Sequence, residues 1–308
     1  VYLQVSGADI GPCATHAAVP LFAVPFLNHR SLVHKSYSRF SCRQLFAFLL
    51  LLLLAQVACA QALPTVQLQD LTWTELRTQI AAGKTTVIIP IGGTEQSGPY
   101  VAVGKHNVRA AWLSQRIAEQ LGNALVAPVV AYVPEGSYAP PASHMRFPGT
   151  ITVPDAAFEQ MLVSVANSFA VHGFRNIVFL GDHGGYQNDL KHVVAELNKA
   201  WANTKARALL PPAYYETSST GYAQILRQHG FRDDEIGTHA GLADTSLQLA
   251  VAPQMVRLDA LRHAVKPGAA DGVYGGDPRR STAQLGKLGT DAIVSRTVEA
   301  IRKETDGH

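Results

Sequence analysis

The sequence predicts an α/β fold with three layers, a mostly parallel central sheet covered by helices on both faces. Short apolar, β-branched runs alternate along the chain with segments of helical period, the pattern of successive strand–helix units. A composition of 47% hydrophobic and 16% charged residues suits a chain with a sizeable buried core. Beyond residue 60 there is no internal repeat and no linker long enough to divide the chain, so residues 61–308 read as one domain.

Thr86–Ile91 is the first strand, β-branched and closed by Gly92-Gly93. Asn107 is the expected N-cap of a helix over Val108–Leu121. Its apolar residues Val108, Trp112, Ile117 and Leu121 fall near one face, and Gly122 stops it. Leu125–Val133 reads as the second strand. Asp155 caps a helix over Ala156–His172, and Asn176–Leu180 is a buried strand. A helix over Gln187–Trp201 and a strand near Ala206–Leu210 follow. Further helices are expected near Thr217–Gln228, Ala243–Val251 and Asp291–Lys303. Parallel sheets bind ligands beyond the carboxyl ends of their strands, so the chemistry is expected just after Ile91 and just after Leu180.

The N-terminal segment reads as processing. Arg39 and Arg43 precede the apolar run Leu45–Ala55, with six consecutive leucines, Leu49–Leu54, and Ala58-Cys59-Ala60 offers small residues for cleavage. Residues 39–60 are therefore expected to be a signal peptide cut near Ala60, giving a periplasmic or secreted protein. The run is shorter than the roughly 20 residues of a membrane-spanning helix, so no stable membrane insertion is expected after cleavage. Residues 1–38 are expected to be a poorly ordered extension from an over-extended start. Cys13, Cys42 and Cys59 all lie in this region, which leaves the remainder without a thiol. Any metal there must be held by His, Asp or Glu. A net charge of +3, with no Lys/Arg run longer than two after residue 60, argues against nucleic acid as a partner.

Three loops carry ligand-type residues. Gly92–Pro99 with Gly104–Asn107 supplies Glu95 and His106; Gly181–Asn188 supplies Asp182 and His183; Gly237–Ser246 supplies His239 and Asp244. Imidazole with carboxylate is the set that Zn²⁺ or Mn²⁺ uses. Each residue also has a plainer role available. Glu95 fits a solvated loop, Asp182 a helix cap, and Asp244 the first turn of a helix, where the dipole favours an acid. His144 and His239 fit ordinary hydrogen-bonded loop histidines. Gly83-Lys84-Thr85 lacks the upstream glycine of a phosphate loop, and Ser97 lacks the Gly-x-Ser-x-Gly turn of a nucleophile elbow.

In this order, the loops resemble the creatininase (creatinine amidohydrolase) family. The resemblance rests on Gly93-Thr94-Glu95-Gln96-Ser97-Gly98-Pro99, on His144-Met145-Arg146-Phe147-Pro148-Gly149-Thr150 and on Gly181-Asp182-His183-Gly184-Gly185-Tyr186. It continues through His239-Ala240-Gly241 with Asp244-Thr245-Ser246, and through Gly272–Pro278, spanning about residues 68 to 303. It implies an αβα sandwich, hydrolysis of amide-type C–N bonds in a small, often cyclic substrate, a centre of one or two divalent metals, and a homo-oligomer, a hexamer in many members. Carried over by position, it implies Glu95, His106, His183 and Asp244 around the metal. His239 becomes the proton shuttle, His144 orients substrate, and Tyr186 and Phe147 contact it.

Ser97 stands where the family has a ligand His, His106 where it has a bridging Asp, and Gly185 where creatininases have a ligand Glu. A carboxylate bridges two cations whereas neutral imidazole offers one nitrogen, so one Zn²⁺ or Mn²⁺ per subunit is expected. The competing expectation is a non-catalytic periplasmic binding or scaffold protein on the same fold, and a third is lyase or isomerase chemistry.

Overall fold

The computed structural model describes residues 65–305; the extension and signal peptide expected over residues 1–60 lie outside them. Helix α1, Trp73–Ala81, opens on a capping box in which Thr72 Oγ1 accepts from Glu75 N and the Glu75 carboxylate accepts from Thr72 N. Then follow β1 (Thr86–Ile91), α2 (Lys105–Leu121), β2 (Ala124–Val126), α3 (Asp155–Val171), β3 (Asn176–Gly181), α4 (Gln187–Ala200) and β4 (Arg207–Leu209). The remainder is helical: α5 (Pro212–Glu216), a π-helical turn over Thr217–Gly221, α6 (Tyr222–Gln228), α7 (Asp233–Ile236), α8 (Leu242–Val251), α9 (Leu258–His263) and α10 (Ala283–Thr305).

The four strands are all parallel, in the order β2-β1-β3-β4. Alternate side chains of β1 sort into two cores. Ile88 packs with Leu113 and Ile117 of α2 and with Ile293 and Val298 of α10. Val87, Ile89 and Ile91 pack with Phe158 and Leu162 of α3 and with Leu190 and Val193 of α4. Period-2 alternation with both faces buried makes β1 and β3 apolar beyond their first residues, Thr86 and Asn176, and it gives the three-layer α/β sandwich that the sequence implied. Because the chain moves from β1 outward to β2 and then returns to β3 on the other side, the crevice at the carboxyl ends of β1 and β3 is the switch point.

Several boundaries differ from the sequence reading. Strand β2 stops at Val126, not Val133, because Pro128 has no N–H to give; beyond it only Val130 rejoins, as an isolated bridge to Ile91. Helix α2 begins at Lys105, behind Gly104, so Asn107 lies inside the first turn rather than capping it. Its side chain instead accepts from Gly93 N at 2.9 Å and donates to Thr94 Oγ1 at 3.0 Å, tying the helix to the loop after β1. Asp155 is the first residue of α3, behind Pro154, rather than its cap. Helix α10 starts at Ala283, eight residues ahead of expectation, despite two glycines whose intrinsic helix propensity is poor.

Those glycines are packing residues. A Cβ on Gly286 would stand 1.8 Å from Ser246 O, and one on Gly289 would stand 2.6 Å from Leu247 Cδ2, so α10 lies against α8 with no room for a methyl group. Gly286→Ala is expected to lower stability by roughly 3 kcal/mol through overpacking, despite alanine's better helix propensity. The midpoint of urea unfolding checks this; an unchanged midpoint would show that the two helices separate freely.

Candidate metal centre

The loop after β1 places Glu95 against His106, His144, His183 and His239, which with Tyr215 are among the side chains lining a cavity of about 660 Å³. Glu95 is fully buried and its two oxygens face different surroundings. Oε1 lies 2.8 Å from His106 Nε2, 3.4 Å from Lys105 Nζ and 3.6 Å from His239 Nδ1. Oε2 lies 3.2 Å from His144 Nε2 and 3.4 Å from His183 Nε2, yet no hydrogen bond reaches it.

Glu135 completes this second side. It is buried and neither of its oxygens has a hydrogen-bond partner, while Oε2 stands 3.7 Å from His183 Nδ1. Its approach depends on Gly93, at φ 146°, where a Cβ would fall 2.6 Å from Glu135 Oε1. Burial and the nearby Glu95 carboxylate push the Glu135 carboxyl up to about 9. Burial also opposes the charge on Glu95, but Lys105 and His106 outweigh it and hold that carboxyl well below the usual range. At neutral pH the Glu135 carboxyl therefore carries a proton and the Glu95 carboxylate does not.

One ligand atom from each of Glu95, Glu135, His144 and His183 lies within 4.8 Å of all the others. Buried oxygens without partners cost free energy unless something satisfies them. Two carboxylates with two imidazoles are the ligand set of Zn²⁺ or Mn²⁺, so these residues fit a divalent ion.

A polar frame supports this set from the inner side. His106 is gripped at both nitrogens, by Glu95 and, through Nδ1, by Asp182 Oδ2 at 2.6 Å. Arg109 donates to Asp182 Oδ2 at 2.8 Å and to Asp244 Oδ1 at 2.7 Å. Lys105 is ion-paired with Asp244 Oδ2. Asp182, buried, and Asp244, partly buried, are both held below the usual carboxylate range, Asp182 by Arg109 and His106, Asp244 by Lys105 and Arg109. Gln96 Nε2 lies 3.0 Å from His144 Nδ1 and 3.1 Å from His239 Nε2, between the two rings.

The family model described as "Creatininase: Creatinine amidohydrolase" matches residues 69–301. The chain belongs to the creatininase family. It is 26% identical over 254 residues to a creatinine amidohydrolase of Pseudomonas putida, covering 76% of this chain and 95% of that protein. A mycofactocin precursor peptide peptidase of Mycolicibacterium smegmatis is 31% identical over 180 residues, 57% of this chain and 61% of that one. Among solved structures, a creatininase aligns with a TM-score of 0.65 at 23% identity, over 78% of this chain and 98% of that chain, a likeness of fold. A zinc–zinc form of a creatininase mutant aligns at 0.61 with 26% identity, over 78% and 98%.

For a creatininase-family chain, the expected ligands are distributed unexpectedly. Glu95 and His183 lie in the four-residue set, together with His144, which the sequence reading made a substrate-orienting residue. His106 lies on the other oxygen of Glu95, with its ring centroid 5.3 Å from that of His183. Asp244 is not available as a ligand to this set, because Lys105 and Arg109 engage its two oxygens. Tyr186 does not contact substrate: it is fully buried, and its hydroxyl donates to Ile91 O and Gly92 O and accepts from His183 N. Phe147 is half-buried and does not line the cavity, so it too is withdrawn as a substrate contact.

The sequence reading did not assign Glu135, Lys105 or Arg109. The one sequence signal near Glu135 was its place in Pro134-Glu135-Gly136 after an apolar stretch.

Proposed function

We propose that this creatininase-family protein is a metal-dependent amidohydrolase that cleaves the C–N bond of a small, cyclic or compact amide, with one zinc or manganese ion per subunit. The observation carrying it is the set of partnerless buried oxygens on Glu95 and Glu135, facing His144 and His183, which line the cavity. Those four residues would hold the ion. A divalent ion in such a site acidifies a water molecule and polarises a carbonyl.

The protein's own groups then divide the remaining work. Lys105 and His106 keep Glu95 ionised and fix the direction of its free oxygen. His239 Nε2 rests against Gln96, 3.0 Å from its O and 3.1 Å from its Nε2, while Nδ1 is turned towards the site, 3.6 Å from Glu95 Oε1. Burial and Lys105 lower the His239 pKa to about 3, so it rests neutral and takes up a proton only as negative charge develops beside it. Tyr215, on the cavity wall, stacks its hydroxyl over Gly184, where a Cβ would stand 2.4 Å away. A cavity of about 660 Å³ suits a small molecule. Two of the relatives are named for action on creatinine or on a precursor peptide, and hydrolysis of a C–N bond is what those two activities share, while a third is named a 3-dehydro-scyllo-inosose hydrolase. We place the protein in the periplasm or outside the cell as a homo-oligomer, in keeping with its leader-like N-terminal segment and its family.

Dialysis against a chelator is expected to lower the thermal midpoint and abolish hydrolysis of an amide and lactam panel, with zinc or manganese restoring both. A non-catalytic binding protein on this fold would bind no metal, and its midpoint would not respond. An unmoved midpoint together with undiminished turnover would sink the metal-dependent assignment.

A further inference from the structure

Five hydroxyl groups line the cavity, those of Tyr215, Ser218, Ser219, Thr220 and Thr238. All but one give their hydrogens to the main chain. Ser218 Oγ and Ser219 Oγ donate to Tyr215 O at 2.9 and 2.8 Å, Thr220 Oγ1 to Glu216 O at 3.1 Å, and Thr238 Oγ1 to Tyr274 O at 2.9 Å. The adjacent Tyr214 hydroxyl donates to Asp182 Oδ1 at 3.1 Å, whereas nothing among the described residues accepts from Tyr215. The neighbouring cations are engaged as well, Lys105 with Asp244 and Arg109 with both Asp182 and Asp244.

The Tyr215 phenol also stands beside the ligand set. Its oxygen lies over Gly184, the residue after His183, where a Cβ would stand 2.4 Å away, so only glycine leaves room for the approach. Burial and the carboxylates of Asp182 and Asp244 raise the phenol above its ordinary value, and it keeps its hydrogen at neutral pH. Ser218 and Ser219 tie the Tyr215 carbonyl into the π-helical turn that follows, a feature that recurs at functional sites.

We propose that Tyr215 is a catalytic residue whose hydroxyl donates a hydrogen bond to the carbonyl oxygen of the substrate as that oxygen gains charge. The inference rests on the amidohydrolase reading and adds the donor that such chemistry uses. Water adds to the carbonyl carbon with one proton passing to His239, and the C=O electron pair moves onto oxygen. Tyr215 shares its hydrogen with this oxyanion and keeps it. The pair returns as the C–N bond breaks, and the nitrogen leaves with the proton from His239, giving a carboxylic acid and an amine. A donor already in place stabilises the developing charge more than the neutral amide.

Tyr215→Phe removes the hydroxyl alone. Zinc-loaded wild type and variant are compared on the amide and lactam panel, and by calorimetric binding of methylphosphonate, a stable tetrahedral anion. The variant is expected to keep its zinc content and thermal midpoint, because the hydroxyl holds no protein group. Its kcat should fall about 100-fold with KM little changed, and its affinity for methylphosphonate about 10-fold. A kcat equal to wild type overturns the inference and leaves the amidohydrolase reading standing. A variant that loses zinc or fails to fold also overturns it, since the hydroxyl would then serve the structure. A kcat loss with undiminished methylphosphonate binding overturns it too, by placing the hydroxyl on some other atom. Wild-type protein that binds no zinc, or hydrolyses nothing in the panel, would overturn both readings.

Discussion

His183→Ala is expected to lower kcat/KM on a cleavable amide by about 1000-fold or more while leaving the protein folded. The substitution removes one of two imidazoles facing the free oxygens of Glu95 and Glu135, and several kcal/mol of Lewis-acid stabilisation corresponds to rate losses of this order. Folding should persist because the ring stands at the cavity wall and its only protein hydrogen bond is the one Nδ1 accepts from Gly185 N at 3.2 Å. Metal content and thermal midpoint, measured on the same preparation as the rates, separate lost chemistry from lost structure. Full activity with full metal content would show that His183 has no part in the centre.

Arg109→Ala is expected to have the opposite signature, a large loss of stability of about 3–5 kcal/mol. Arg109 is buried and bonds carboxylates on two different elements, Asp182 after β3 and Asp244 in α8. Removing it strands Asp182, which is almost wholly buried, with His106 and the Tyr214 hydroxyl as its remaining partners. The same network sets the acid limb of stability. Asp182 and Asp244 titrate lower in the folded protein than in the unfolded chain, where an aspartate titrates near about 3.9. Their contribution is therefore complete above that value and is lost as pH falls through their folded values. Urea midpoints from pH 7 down to pH 2 should fall in the acid range for wild type. The decline should be shallower for Arg109→Ala, in which those carboxylates have lost their guanidinium. Parallel curves would rule out Arg109 as the group that holds them ionised.

How far the sequence revealed this arrangement differs between parts. Strands β1 and β3 were legible because burial on both faces leaves an unbroken apolar run, and the loops after them followed from the rule for parallel sheets. Glu95 and His183 were legible as ligand-type residues on those loops. Glu135 was hidden because its closeness to Glu95 depends on the backbone of Gly93, not on any spacing along the chain. Lys105 and Arg109 were hidden by an error of three residues at the start of α2. With the helix begun at Val108, a lysine at 105 belongs to a loop and an arginine at 109 to a first turn, where charges are ordinarily solvated. Once the helix begins at Lys105, positions 105, 106 and 109 share one turn, and that turn faces the cavity. Asp244 was read correctly as a first-turn acid in its plainer role, and incorrectly as a ligand, because nothing in the sequence shows which cations lie across from it.

The Tyr186 hydroxyl has a consequence for how such a protein can change. It joins the main chain leaving β1 to the main chain leaving β3, so the segment bearing Glu95 and the segment bearing His183 move as one piece. Mutational drift that reshaped either segment for a new substrate would disturb the other at the same time. The opposite wall, at the π-helical turn Thr217–Gly221, has no such tether to the metal ligands, and adaptation to new substrates has its freest route there.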